Sequence, residues 1–354
     1  MQSSGLAIIP SVGTDCNNNI CLLAKNLHKR EINVVRYTMN RSDIDEQISF
    51  LNNLQEHYHI VAKRDLRLWL DLSWPKDKIR LEMSEYPVAL EKGEVIFITN
   101  DATIKKDSIR NAYMKFNFRD LKSPCFMVGE SLMVRPIEAN DDYMLAECLN
   151  SDIIKSSKAV SSIDNYIEQS SQEIEERAMK LIHDVKVELC ILSYIESRDD
   201  YIKSTAKIQK FSTGMMFMSK IESFKGFLNR KEIIDISDSI MIPRGCLALN
   251  LGISYFWGVQ NTILRDCILN NRKVYLASNI LRSLDKSIIP SRTDIGDLAN
   301  FVSRGVSDVI LTNAFNTKNM DALDRYYIYI HNIYELYHDR DFVQSDDYDS
   351  CKLY

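Results

Sequence analysis

Two apolar runs in this sequence end on side chains that could do chemistry. The first, GMMFMSK, closes with Lys220, and the second leads into MIPRGCLALN, where Gly245 and Cys246 follow Pro243 and Arg244. A buried strand delivers its last side chains into a pocket, so Lys220 would place an ammonium there and Cys246 a thiol. Taken by residue type alone, Lys220 reads as a strand-end lysine that snorkels to solvent. The second stretch reads as a strand that turns sharply at Gly245 and presents Cys246. A carboxylate or hydroxyl would be the usual equipment for polar chemistry, and a thiol is soft and mostly protonated unless a metal lowers its pKa.

Other reactive side chains point to structure rather than chemistry. None of the six histidines, at 28, 57, 59, 183, 331 and 338, falls at the end of an apolar run. His57 and His59 sit at a helix end, where cationic or capping histidines are ordinary. Met215, Met216 and Met218 read as strand core. The eight cysteines, at 16, 21, 125, 148, 190, 246, 267 and 351, form no CxxC pair, which signals neither a zinc module nor a disulfide framework. The segment DRYYIYIHNIYELYHD is a helix so aromatic that it must pack on the core or against a partner.

The elements that position these residues follow from the pattern. The 354 residues are 45% apolar and 26% charged, with a net charge of −5, which is globular and unsuited to nucleic acid. No leader is read at the N-terminus and no run of apolar residues is long enough to span a membrane, so a cytoplasmic protein is expected. Eight short apolar, β-rich runs occur at 6–12, 32–38, 66–72, 187–194, 214–221, 239–244, 273–278 and 308–312. Between them lie helix-like stretches such as 18–29, 43–57, 163–184, 255–270 and 293–305. Strands buried on both faces and alternating with helices predict an α/β fold, a (β/α)8 TIM barrel. An open doubly wound sheet is the alternative, but neither GxGxxG nor GxxxxGK[ST] occurs. Residues 73–162 break the rhythm into short β-like runs and polar turns, which predicts a small all-β domain inserted after strand 3. The expected division is a barrel domain over 1–72 and 163–340, the insert over 73–162, and a flexible acidic tail over 341–354.

On these motifs the chain resembles the pyruvate kinase family. MSKIESFKGFLNRKEIIDISDSIMIPRGCLAL resembles that family's lysine-and-glutamate strand followed by its arginine-glycine-aspartate loop. NRKVYLASNILRSL, PSRTDIGDLANFVSRGVSDVILT, SVGTDCNN, INVVRYTMNRSD and LWLDLSWP resemble further strands and βα turns of the family. The resemblance runs from Leu6 to His338 and is strongest from Lys220 to Thr312. The family continues into a C-terminal effector domain, which this reading expects to be absent.

The resemblance implies roles for residues of this chain. Lys220 would contact the phosphoryl group moving from phosphoenolpyruvate to ADP, and Arg36 would clamp the substrate phosphate. Glu222 would hold Mg2+, but Cys246 stands where the second carboxylate ligand belongs, so Mg2+ is expected to be weakly held or lost. Thr38, Asn40, Asp71 and Leu72 occupy the K+ site, which would be degraded and K+ dependence doubtful. Ser278 would keep the hydroxyl used in proton delivery and, with Gly245, touch substrate. On the ADP side, Arg41, the Gly13-Thr14 and Ser73-Trp74-Pro75 stretches, and Thr312 to Phe315 depart from the family pattern, while Arg80 would still reach its nucleotide-side place.

The resemblance therefore implies a glycolytic protein that is either a pyruvate-kinase-like phosphotransferase or a pseudoenzyme derived from one. The favoured expectation is a weakly active or inactive subunit that forms a homo- or hetero-oligomer through the barrel, with itself or with an intact pyruvate kinase. A divergent active enzyme and a phosphate-metabolite binding module are the alternatives.

Overall fold

The computed structural model describes residues 6–13, 19–121, 123–129, 131–155, 157–161, 167–169, 171–315 and 319–338. The acidic tail read at 341–354, together with Thr14, Cys16 and Cys351, lies outside the described residues. Eight parallel strands close into a barrel. They are β1 (Ala7–Val12), β2 (Val34–Thr38), β3 (Arg67–Lys78), β4 (Leu189–Ser193), β5 (Met216–Lys220), β6 (Ser239–Pro243), β7 (Lys273–Ala277) and β8 (Asp308–Ala314). Each pairs with its chain neighbour, and β8 returns to β1 with Asp308 opposite Ala7. All eight apolar runs of the sequence fall on these strands.

The barrel is filled from inside by Ile9, Trp69, Ile191, Met218, Met241, Tyr275 and Ile310, with Trp69 edge-on to Tyr275 at 5.3 Å between ring centroids. Met218 is therefore core. Outward side chains of the same strands pack under helices. Those described are α1 (Ile20–Lys29), α2 (Ile44–Ala62), α3 (Gln172–Asp184), α4 (Arg198–Gln209), α5 (Phe224–Leu228), α6 (Arg230–Ile236), α7 (Arg244–Leu251), α8 (Ile253–Leu269), α9 (Arg292–Val302) and α10 (Met320–His338). Asp43, Ser171, Ser197, Ser223 and Ser291 start α2, α3, α4, α5 and α9 by accepting a backbone N–H that the helix itself leaves unpaired.

Two local expectations change. The turn expected at Gly245 comes earlier, at Pro243, which lacks a backbone N–H and ends β6. Arg244 begins α7 directly, so Gly245 and Cys246 lie in the first turn of a helix. The helix expected over 163–184 begins at Gln172, after a short strand at Ile167–Gln169.

Strand β3 runs through the expected domain boundary at 72/73 and on to Lys78, and Ile167–Gln169 returns antiparallel to Lys76–Lys78. Between them is a second closed barrel of seven strands. Its spatial order is Tyr143–Cys148, Val95–Thr99, Arg110–Tyr113, Arg80–Met83, Lys158–Ser161, Phe126–Val128 and Leu132–Ala139. It has its own core, in which Leu81, Ile96, Ile98, Phe126, Val134 and Met144 are buried.

The aromatic α10 packs on the main barrel. Leu323, Tyr326 and Ile330 are buried, and Tyr327 donates its hydroxyl to the Ile8 carbonyl at 3.0 Å. Exposed apolar side chains gather instead on α8, where Ile253, Tyr255 and Trp257 are 76%, 73% and 60% exposed. No helix among the described residues is long and apolar enough to cross a membrane.

Candidate functional site

The C-terminal ends of the barrel strands bring Arg36 from β2, Asp71 from β3, and Lys220 from β5 to one place, the end of such barrels where active sites form. Asp71 Oδ2 accepts from Arg36 Nη2 at 2.6 Å and Nε at 3.0 Å, while Oδ1 faces Lys220 Nζ at 2.9 Å. Arg36 Nη1 also donates to Ser11 Oγ at 2.7 Å, and that hydroxyl donates to the Leu311 carbonyl at 2.7 Å. The guanidinium is thus fixed from β1 and β3 at once. Burial pushes the Asp71 carboxyl up, but Lys220 and Arg36 more than offset this and hold it below its ordinary range. Burial likewise opposes the charge on Lys220, and Asp71 and Glu222 overcome it, so its pKa is raised. Lys220 therefore does not snorkel: its side chain is 12% exposed and turns inward to the two carboxylates.

Glu222 lies just past β5, 3.5 Å from Lys220 Nζ through Oε1. The same oxygen accepts the Tyr194 backbone N–H at 3.3 Å, and Asn250 Nδ2 donates to the Glu222 carbonyl at 2.7 Å. Cys246, on the first turn of α7, accepts from Lys78 Nζ, with 2.7 Å between nitrogen and sulfur. Burial pushes the Cys246 thiol up; Lys78 and Lys220 pull it back only in part, with Glu222 opposing them. The thiol is therefore protonated at neutral pH. For Lys78, burial disfavours the charge, while Cys246 and Glu222 favour it and leave the pKa above the ordinary lysine value.

This donor set does not fit Mg2+. A hard cation needs several oxygen ligands in near-octahedral array. Here Glu222 is engaged by an ammonium, the other side chain is a neutral thiol, and a lysine rests on that thiol. Among the described residues no group of three or more His, Cys, Asp or Glu is arranged to hold a metal ion. Of the residues read as the K+ site, Thr38 lies opposite Asp71 in the β2–β3 register. Thr38 is exposed, Asn40 Oδ1 accepts from Ser42 N at 2.8 Å and Ser42 Oγ at 2.6 Å, and Asp71 is shared between two cations.

Ser278 follows β7 with φ of 72°, and Asn279 with 55°, both left-handed and uncommon for residues with a side chain. They line a cavity of about 250 Å³ with Leu311 and Thr312, so it shares Leu311 with the Ser11–Arg36 chain of hydrogen bonds. A second cavity, of about 500 Å³, lies between the rim and the inserted barrel and is lined by both signs of charge, Arg41, Lys78, Arg80, Lys115 and Arg177 with Asp77, Glu82 and Glu173. Arg41 is paired there with Glu82 at 2.8 Å.

Reading the sequence missed Lys76, Lys78, Ser11, Tyr194 and Asn250. One signal was present for the lysines: residues two apart on an extended strand share a face, and Lys76 and Lys78 both reach barrel groups. Lys76 Nζ donates to Glu196 at 2.7 Å and Asp200 at 2.8 Å. Nothing local marked the others.

Fold and site define a (β/α)8 barrel protein with an inserted β-barrel and a buried cluster of cations and carboxylates at its C-terminal mouth. The family model for the pyruvate kinase barrel domain matches residues 5–318, and the chain belongs to the pyruvate kinase family. It is 24% identical over 319 residues to pyruvate kinase of Candida albicans, covering 86% of this chain and 62% of that protein. With pyruvate kinase of Thermotoga maritima it shares 24% identity over 292 residues, covering 79% and 60%. With the cytosolic isozyme of pyruvate kinase from Glycine max it shares 23% over 297 residues, covering 82% and 58%. The chain therefore spans about three-fifths of the length of these relatives.

Proposed function

We propose that this chain is a weakly active or catalytically silent pyruvate-kinase-like subunit. It binds phosphoenolpyruvate-type anions at the barrel mouth and assembles with itself or with an intact pyruvate kinase, in the cytoplasm. The observation that carries the reading is the contact between Lys78 Nζ and Cys246 Sγ. Phosphoryl transfer depends on positioning and on neutralising charge around the moving group. Arg36 and Lys220 still offer cations for that task. What is lost is a hard acidic partner for Glu222, and Lewis-acid stabilisation of phosphoryl transfer is worth several kcal/mol.

The test is turnover of phosphoenolpyruvate and ADP by the purified chain, coupled to pyruvate reduction, with Mg2+, Mn2+ and K+ varied and Cys246→Asp assayed alongside. The expected result is little or no turnover by the natural protein and a gain in Cys246→Asp. Brisk Mg2+-dependent turnover of the natural protein, abolished by Lys220→Met, would instead establish a second reading: a divergent working pyruvate kinase. The presence of Ser278 beside a cavity favours that alternative. For assembly, a pull-down from native extract that never recovers a glycolytic enzyme, together with a monomeric purified protein, would count against the subunit role.

A further inference from the structure

We infer that the Lys78 ammonium does the work of the divalent cation at this barrel mouth, so that a small phosphorylated carboxylate binds without any metal. The inference rests on the anion-binding part of the reading just proposed and adds where the compensating charge comes from.

The two lysines at the end of β3 are used differently. Lys76 is buried and carries two carboxylates, Glu196 at 2.7 Å and Asp200 at 2.8 Å, so its charge is spent within the protein. Lys78 reaches one acceptor among the described residues, the Cys246 thiol. An ammonium has three donors, and a neutral thiol is a weak acceptor that cancels no charge. Two N–H groups remain for a ligand, with Glu222 the carboxylate that acts on the charge.

Lys78, Lys220 and Arg36 face two carboxylates, Asp71 and Glu222. Among these five groups three cations face two anions, and Asp77 stands beside Lys78 at the edge of the larger cavity. Lys78, whose ammonium rests on the first turn of α7, is also among the residues lining the larger cavity under the inserted barrel, where Arg41, Arg80, Lys115 and Arg177 stand with Asp77, Glu82 and Glu173. The identity of residue 246 then makes physical sense. An aspartate there would take Lys78 into an ion pair and neutralise it, whereas a cysteine holds the lysine in place and leaves it charged.

The experiment is calorimetric titration of phosphoenolpyruvate into the full chain, once in EDTA and once in Mg2+. Dissociation constants in the two buffers should agree within about twofold. Lys78→Met should weaken binding in EDTA by about tenfold or more, and Lys78→Arg should restore most of it. Cys246→Asp, which keeps Lys78 but neutralises it, should also weaken binding in EDTA and make binding depend on Mg2+; this second variant decides the matter where Lys78→Met does not fold. Binding that appears with Mg2+ and not in EDTA overturns the inference and leaves the anion pocket standing. Binding in neither buffer overturns both. Binding in EDTA that neither variant weakens overturns the role given to Lys78.

Discussion

Lys220 Nζ lies 2.9 Å from Asp71 Oδ1, although β5 and β3 are not neighbours and β4 runs between them. The pair therefore reaches across the mouth of the barrel, and Arg36 closes on the other oxygen of the same carboxylate at 2.6 Å. One buried aspartate is shared by two buried cations. Removing it takes the nearest carboxylate from both, leaving Arg36 with Ser11 and Lys220 with Glu222 at 3.5 Å, and breaking a buried ion pair on one side costs about 3–5 kcal/mol. Asp71→Asn should destabilise the chain by that order in urea denaturation. A loss below about 1 kcal/mol, the range of solvent-screened pairs, would mean that water reaches the cluster.

Lys76 ties the outgoing end of β3 to Glu196 and to Asp200 of α4. Its loss frees the strand that leads into the inserted barrel. Lys76→Met should lower stability by about 2–4 kcal/mol, because two partly buried carboxylates lose their cation. Hydrogen exchange should quicken at Lys76–Lys78 and Ile167–Gln169 while the core of the inserted barrel keeps its protection. Uniform exchange across the whole chain would show that the ribbon is held by other contacts.

At the opposite end of the barrel, burial raises the Asp308 carboxyl to about 6, with the Ala7 backbone N–H and Lys273 opposing it. A carboxyl whose pKa is higher folded than unfolded binds more protons in the folded state. Its contribution to stability is full below about pH 4 and is lost as pH rises through about 6. Two pKa units correspond to about 3 kcal/mol. Asp308→Asn keeps an acceptor for Ala7 and removes the charge. The variant should match the natural protein near pH 4 and exceed its stability by about 2–3 kcal/mol at pH 7.5. Equal stability at both pH values would show that the carboxyl is ordinary.

How much of this was legible in the sequence depends on whether the signal was local. The eight barrel strands were readable because parallel strands covered on both faces are continuous apolar runs. The exit of β3 was not, since SWPKDK mixes polar and apolar residues like a loop, while Trp74 and Lys76 are buried along it. Arg36, Lys220, Glu222 and Cys246 were found by motif, and the structure gathers them. The partner of Cys246 stands 168 positions away and has no motif, so no spacing rule could have named Lys78. Lys220 misled when read alone, because a strand-end lysine turns inward when carboxylates wait there, and Asp71 belongs to a different strand.

The outer face of α8 carries the remaining prediction. Ile253 and Trp257 are one helical turn apart, and Trp257, Ile268, Leu269 and Arg304 line a surface cavity of about 480 Å³. Arg304 stacks over the Trp257 ring at 5.7 Å, which orders the indole without covering it. Exposed aromatic and aliphatic side chains rimmed by arginine are the composition of an interface core. If the barrel assembles through this face, sedimentation velocity of the natural protein should show a mass that rises with concentration. Trp257→Glu should remain a folded monomer with unchanged circular dichroism, because its side chain is outside the core. A natural protein that stays monomeric at all concentrations, with Trp257→Glu indistinguishable from it, would remove self-assembly through α8 and leave that face to a different chain.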